Sequence, residues 1–523
     1  MKLKLANCPA CGGLVEFRLG TALVTICGYC HSVLARAGKN LEDHGKVADL
    51  VETDSAISLG QVGRFGKNGK KPFEVVGRVQ YQHPAGGVWN EWYLKFPGDQ
   101  VRWLAEAQGK LWLMEEVPAT GRTTIPSFED LTVGESLQLP GGKSFLVAEK
   151  AVALAVSAVG DIPWAFRAHE EHRFADLHSE EKGVATIEYQ PDGPVVFLGR
   201  GVSLSQLGLS PASDQAGAVP VVPNASALQL NCPHCAGPLA LVAPDKTQRV
   251  CCPNCRALLD CQQGALKYLK TLEGRTNDKP LIPLGSVGKL GGVDYTVIGF
   301  MRRSVTEAGT VYPWTEYLLH SPSAGFRWLI CNKNHWSIAE SVTSGRAPAN
   351  NLATFEGTEY RLYDRGTATV NYVVGEFNWK VEQGEKTATE DYIAPPYMLS
   401  FERTCSSGSE ELNVTRATYL DIETLETAFG LKELPRPWDI GVIQPNPGQP
   451  EVWAIWACSM AVLFVLFLIV PEGQPNSGRG FHFFMAMIGL TAWPLMGVFL
   501  RHTREVSRWS NSDYSPYAQE SDS

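Results

Sequence analysis

The 523-residue chain is short of charge. Charged residues make up 19% of it, below the quarter usual for a soluble globular protein. The balance is acidic, with 46 Lys and Arg against 55 Asp and Glu and a formal net charge of −9. A protein that tracks a nucleic-acid backbone wants a basic surface, so this deficit argues against nucleic acid as a main partner. The chain also lacks a glycine-rich phosphate loop, an H-E-x-x-H pair and a G-x-S-x-G elbow, the common signatures of nucleotide binding, zinc proteolysis and acyl transfer. No apolar run precedes Cys8, so no secretory leader is expected. Long stretches of helical period are scarce outside the C-terminal region. What remains is a chain long enough for three or four units with packed cores. Its hydrophobic content of 44% excludes disorder for most of it.

Cysteine is plentiful. Eight of the 13 cysteines fall into four C-x-x-C pairs: Cys8 and Cys11, Cys27 and Cys30, Cys232 and Cys235, Cys252 and Cys255. Two such knuckles 15 or 16 residues apart have the spacing of a four-thiolate zinc site. Each short loop presents two sulfurs to one ion, and four sulfurs fill its tetrahedron, so both zinc ions are expected to be structural. His31 and His234 lie beside ligands but are surplus to a complete set. Cys251, Cys261, Cys331, Cys405 and Cys458 follow no ligand spacing and are read as free thiols.

The cysteine sets recur at an offset of 224, and the offset persists downstream. Gly60-Gln61-Val62-Gly63 matches Gly285-Ser286-Val287-Gly288. Trp89-Asn90-Glu91-Trp92 matches Trp314-Thr315-Glu316-Tyr317, Arg102-Trp103-Leu104 matches Arg327-Trp328-Leu329, and Gly160-Asp161-Ile162-Pro163-Trp164 resembles Gly375-Glu376-Phe377-Asn378-Trp379. The soluble part therefore reads as a tandem duplication. The first copy has a zinc ribbon over 1–40 and a β domain over 55–210. A Pro- and Ala-rich linker follows at 211–227, then a second ribbon over 228–265 and a second β domain over 280–434. Phe73, Val75, Gly77, Val79 and Tyr81 alternate with polar residues at a period of two, and Trp92, Leu94 and Phe96 repeat the pattern. With glycine-rich turns between, this predicts an antiparallel barrel or sandwich in each copy. The fold class is mainly β, with short helices expected only at Leu41–Val51 and Ile422–Gly430.

After a linker at 435–451 come two apolar runs, Val452–Val470 and Phe481–Leu500, each long enough to cross a hydrocarbon core about 30 Å thick. The ten-residue connection between them predicts a transmembrane hairpin over 452–500, followed by a polar tail at 501–523. Arg501, Arg504 and Arg508 follow the second run, whereas the connection holds only Arg479. By the positive-inside tendency both termini then face the cytoplasm, a reducing compartment where thiolates stay available for zinc.

The run from Tyr81 through His83-Pro84-Ala85-Gly86-Gly87 to Leu94, continued by Trp103-Leu104-Ala105-Glu106-Ala107-Gln108-Gly109, resembles the signature of the bacterial domain-of-unknown-function 4178 family. The second copy keeps Trp314, Glu316 and Trp328, lacks the His-Pro-Ala-Gly-Gly turn, and has Cys331 where the first has Glu106. The resemblance covers the β domains only. It implies a bacterial inner-membrane protein from systems that accompany polyamine-biosynthesis-like enzymes and serve envelope stress.

Trp89, Glu91, Trp92 and Glu106 form the candidate ligand site. Indole faces beside carboxylates suit an organic cation such as a polyamine, through cation–π attraction and ion pairing. The competing reading is a Trp-rich core with Arg102 paired to Glu91 or Glu106. The sequence thus predicts a membrane-anchored, non-enzymatic scaffold or ligand sensor with a protein partner at the membrane. The alternative is an enzyme using Glu91 and Glu106 as an acid/base pair.

Overall fold

The computed structural model describes residues 4–37, 40–48, 55–66, 71–107, 110–117, 124–181, 183–209, 228–243, 246–262, 265–272, 279–406, 408–446, 452–469 and 478–517. The expected linker at 211–227 and the end of the linker at 435–451 lie outside the described residues. The Trp-bearing stretch 438–443, by contrast, is packed against the second β domain, with Ile443 buried.

Each copy closes into an eight-stranded antiparallel barrel. The first is built from β1 (Lys71–Gln82), β2 (Val88–Phe96), β3 (Gln100–Ala107), β4 (Lys110–Val117), β5 (Ser144–Ile162), β6 (Glu171–His178), β7 (Gly183–Gln190) and β8 (Gly193–Val202). Strands β1 to β4 form a meander. β4 pairs with β8, the chain order runs back through β7 and β6 to β5, and β5 closes on β1. The second barrel repeats this order with β9 (Val293–Glu307), β10 (Thr310–Ser321), β11 (Gly325–Asn332), β12 (His335–Ser341), β13 (Thr358–Phe377), β14 (Lys386–Ala394), β15 (Tyr397–Ser406) and β16 (Ser409–Leu420). Closure leaves no free sheet edge around either barrel.

A glycine pair marks each closure. Gly160 on β5 faces Gly77 on β1, and Gly375 on β13 faces Gly299 on β9. Gly160 and Gly375 have φ of +77° and +95°. A Cβ there would meet the carbonyl oxygens of Val76 and Ile298 at 2.4 and 2.3 Å, so only glycine lets the strands cross this closely.

The next residue fastens the cysteine ribbon to the barrel. Asp161 accepts hydrogen bonds from the Leu19 N–H (2.7 Å) and the Thr25 hydroxyl (2.7 Å). Glu376 accepts from the N–H groups of Val242 (2.7 Å) and Ala243 (3.2 Å) and from the Thr247 hydroxyl (3.0 Å). Ribbon strands Val24–Ile26 and Arg249–Cys251 then pair with the ends of β5 and β13, so each ribbon and barrel share one sheet. The expected helix at Leu41–Val51 is instead a strand over Asn40–Lys46, paired with the ribbon strand Ser32–Ala37. Tertiary pairing there overrides a weak local pattern.

The two modules are joined directly. β5 pairs with β16 at Glu149–Glu411, Lys150–Glu410 and Ala151–Ser409. Among the described residues four helices complete the fold: α1 (Leu204–Leu207), α2 (Ile422–Phe429, as the sequence predicts), α3 (Val452–Ile469) and α4 (Arg479–Trp509). Helices α3 and α4 touch through Trp456 and Thr491 (3.3 Å) and through the rings of Phe467 and Phe483 (4.3 Å). They expose apolar side chains such as Ile455, Phe464, Leu468, Ile488, Trp493 and Phe499. α4 is long and apolar enough to cross a membrane. At 1.5 Å per residue its 31 residues are longer than a hydrocarbon core about 30 Å thick.

Candidate functional site

The four C-x-x-C knuckles assemble into two tetrads. The sulfurs of Cys8 and Cys30 and of Cys11 and Cys27 lie 3.7 Å apart. Cys232 and Cys255 are at 3.7 Å, and Cys235 and Cys252 at 3.9 Å. These are the edges of a tetrahedron with metal–sulfur bonds of about 2.3 Å. The residue after the second cysteine of every knuckle is left-handed: Gly12, His31, Ala236 and Arg256 have φ between +59° and +75°. Backbone N–H groups of Ala10 and Cys11 point at the Cys8 sulfur, and those of His234 and Cys235 at the Cys232 sulfur. Both sets can hold a metal ion with every position filled by protein. His31 is a turn residue, and His234 stacks on Tyr268 at 4.9 Å.

The structure divides the four residues of the predicted ligand site. Neighbours on a strand point to opposite faces. Trp89 and Glu91 face the interior of the first barrel, where Trp89 packs on Phe174 of β6 at 5.3 Å. Trp92 and Glu106 face outward. There the Trp92 indole N–H and the Asn90 amide donate to Glu106 Oε2 (2.9 and 3.0 Å), and Arg78 donates to Asn90 Oδ1 (2.9 Å). The Arg78 guanidinium lies over Trp92 at 5.0 Å, while α1 covers the same apolar patch with Leu204 and Leu207. Glu91 and Glu106 are therefore not a pair, and the expected partner of either, Arg102, bridges to Glu115 instead (2.9 Å).

Inside the first barrel Glu91 meets residues that lie far away in sequence. One ligand atom each from Glu91, His172 on β6 and Glu188 on β7 lie within 4.8 Å of one another. Glu91 accepts from Trp89 Nε1 (3.4 Å) and the Tyr93 hydroxyl (3.3 Å). Asp176 accepts from the Thr186 hydroxyl (2.6 Å) close by. Burial, reinforced by Glu188, holds the Glu91 carboxyl well above the usual carboxylate range. Burial also lifts Glu188 and Asp176 to about 7 and pushes the His172 imidazole down to about 4.

The second barrel repeats the carboxylates and adds a cation. Register equates Glu316 with Glu91, Glu402 with Glu188, and Asp391 with Asp176. Arg303, in the place of Tyr81, donates to Glu316 (3.2 Å) and through both terminal nitrogens to Glu402 (2.8 and 3.3 Å). It also lies over the Trp314 ring at 5.6 Å. A cavity of about 1950 Å³ passes this group and extends along the barrel interior, past Met301, Trp328 and Met398.

The C-terminal chain forms part of the cavity wall. Ser507, Arg508, Ser510 and Asn511 line it. Arg508 is buried and donates to the carbonyls of Gly441 (3.1 Å), Val442 (2.7 Å) and Gln444 (2.6 Å). Trp509 plugs the barrel end against Ala339, Ile393, Ala417 and Ile443. The polar tail expected from residue 501 begins as the last turns of α4, which dock at the barrel end.

The His83–Gly87 turn belongs to the seam between modules. His83 Nε2 lies 2.5 Å from Glu149, its Nδ1 accepts from the Ala85 N–H (3.1 Å), and the Gly86 and Gly87 positions abut Gln248 of the second ribbon and Lys380 of the second barrel.

Two stretches, 61–204 and 283–421, match the family described as domain of unknown function (DUF4178), together more than half of the chain. No curated protein and no solved structure matches the sequence.

Proposed function

The chain belongs to the DUF4178 family as a tandem pair, and from that premise we propose that it is a non-catalytic ligand sensor anchored in a membrane. The supporting observation is that α4, the helix able to cross a membrane, ends in the wall of the second barrel's cavity. A molecule in that cavity touches the same residues that hold the helix end. The cavity suits a small amphipathic molecule. Its charged group meets Arg303 and Glu402, and its apolar part lies against Trp328, Met301 and Met398. In this reading α3 and α4 form a hairpin, the barrels face the cytoplasm, and the two tetrads carry structural zinc, the ion that four thiolates in a tetrahedron favour.

Native mass spectrometry of the full chain extracted from membranes tests this. A co-purifying molecule of low mass is expected, and its loss is expected in Thr389→Trp, which fills the cavity from β14. Identical spectra for the two proteins, with no adduct on either, would sink the reading.

A further inference from the structure

The two barrels share a pair of inward carboxylates but not its neutralising cation. In the second barrel the pair is Glu316 and Glu402, and the chain's own Arg303 guanidinium lies between them. In the first barrel the pair is Glu91 and Glu188, and among the described residues neither is bridged to a lysine or arginine. The surroundings of the pair differ between the copies, and Phe174 and Tyr93 stand where the second has Thr389 and Leu318. Arg303 is replaced by Tyr81, and Thr387 by His172. The copy that loses the guanidinium thus gains an imidazole.

That imidazole is tilted against the ring of Tyr81 (4.7 Å) and stacks on that of Phe174 (5.9 Å). It is half-buried on the barrel interior, and it makes no hydrogen bond among the described residues. It nonetheless lies in the 4.8 Å group with the two carboxylates. An unpartnered nitrogen lone pair beside two carboxylate oxygens is a donor set for a first-row transition-metal ion. The guanidinium of the second barrel marks the position at which the fold accepts positive charge.

We propose that Glu91, His172 and Glu188 bind a divalent transition-metal ion inside the first barrel, distinct from the two cysteine sites. A divalent charge balances the two carboxylates, and water completes the coordination shell. Trp89 and Tyr93 hold the Glu91 carboxylate in place through the hydrogen bonds they donate, as outer groups commonly do at metal sites.

The test is the metal content of the full chain equilibrated with excess zinc and then desalted. About three zinc ions per chain are expected, two on cysteine and one in the barrel. Glu188→Gln, nearly isosteric, and His172→Ala should each lower the count by one while leaving the cysteine-bound ions in place. With cobalt as the probe, the barrel ion should add weak visible bands and leave the sulfur-to-cobalt charge-transfer absorption unchanged. If cysteine binding fails, that charge-transfer absorption disappears, so the two outcomes are separable. A count of two in the wild-type chain, or a count unchanged by both substitutions, overturns the proposal.

Discussion

Asp391 shows how a barrel interior with polar residues governs stability. Its carboxyl accepts from the Ser400 hydroxyl at 2.5 Å, and burial, with Glu402 and Asp364 nearby and Arg303 opposing them, lifts it to about 7. In the unfolded chain an aspartate titrates near 3.9. The folded state therefore binds the proton more tightly. The stability this contributes is complete below about pH 4 and is lost as the pH rises through about 7. Asp391→Asn should gain on the wild type as the pH rises from 5 to 8, with the difference changing by about 3 kcal/mol. Thermal unfolding of both proteins at the two pH values checks this, and a constant difference would contradict it. The cysteines were legible in the sequence because ligand spacing is local, whereas the barrel site was legible only in part. The adjacency of Glu91 and Trp92 on a predicted strand already places them on opposite faces. His172 and Glu188 lie about a hundred residues downstream, and only barrel closure brings them to Glu91.

At the scale of elements, the Gly160–Gly77 and Gly375–Gly299 crossings join barrel, ribbon and closure at one point. Gly375→Ala brings a methyl group within 2.3 Å of the Ile298 carbonyl and forces a left-handed backbone on alanine. It should cost several kcal/mol, read as a fall in the melting temperature and loss of zinc from the second ribbon. The repeated Gly-Asp and Gly-Glu pairs were visible in the sequence as evidence of duplication. Their role was not, because the partners of Asp161 and Glu376 lie about 140 residues upstream in the ribbons. Arg508→Ala removes a buried guanidinium that satisfies three carbonyls of 441–444. Unmet buried carbonyls cost about 1–3 kcal/mol each. Faster hydrogen exchange at 438–444 is the expected result, with the first barrel unchanged.

For the whole molecule, the sequence supplied the order of units and the structure supplied their connections. Ribbon and barrel merge into one sheet, β5 and β16 join the barrels, and the end of α4 packs into the end of the second barrel. Period two identifies strands but cannot distinguish a closed barrel from a sandwich, because that depends on which distant strands meet. The formal net charge of −9 also hides a local feature: each barrel holds inward carboxylates, and in one copy the chain supplies its own cation between them.

The central claim is that the contents of the second barrel are felt at the membrane helix. Ala339 lies on the barrel wall against Trp509, so Ala339→Trp places an indole where an occupant would press on the plug. Hydrogen exchange of the full chain in a lipid bilayer tests the coupling directly. The account predicts that 438–444 and 505–511 lose protection together while the first barrel keeps its own. Wild-type protection in both segments of the folded variant would contradict it.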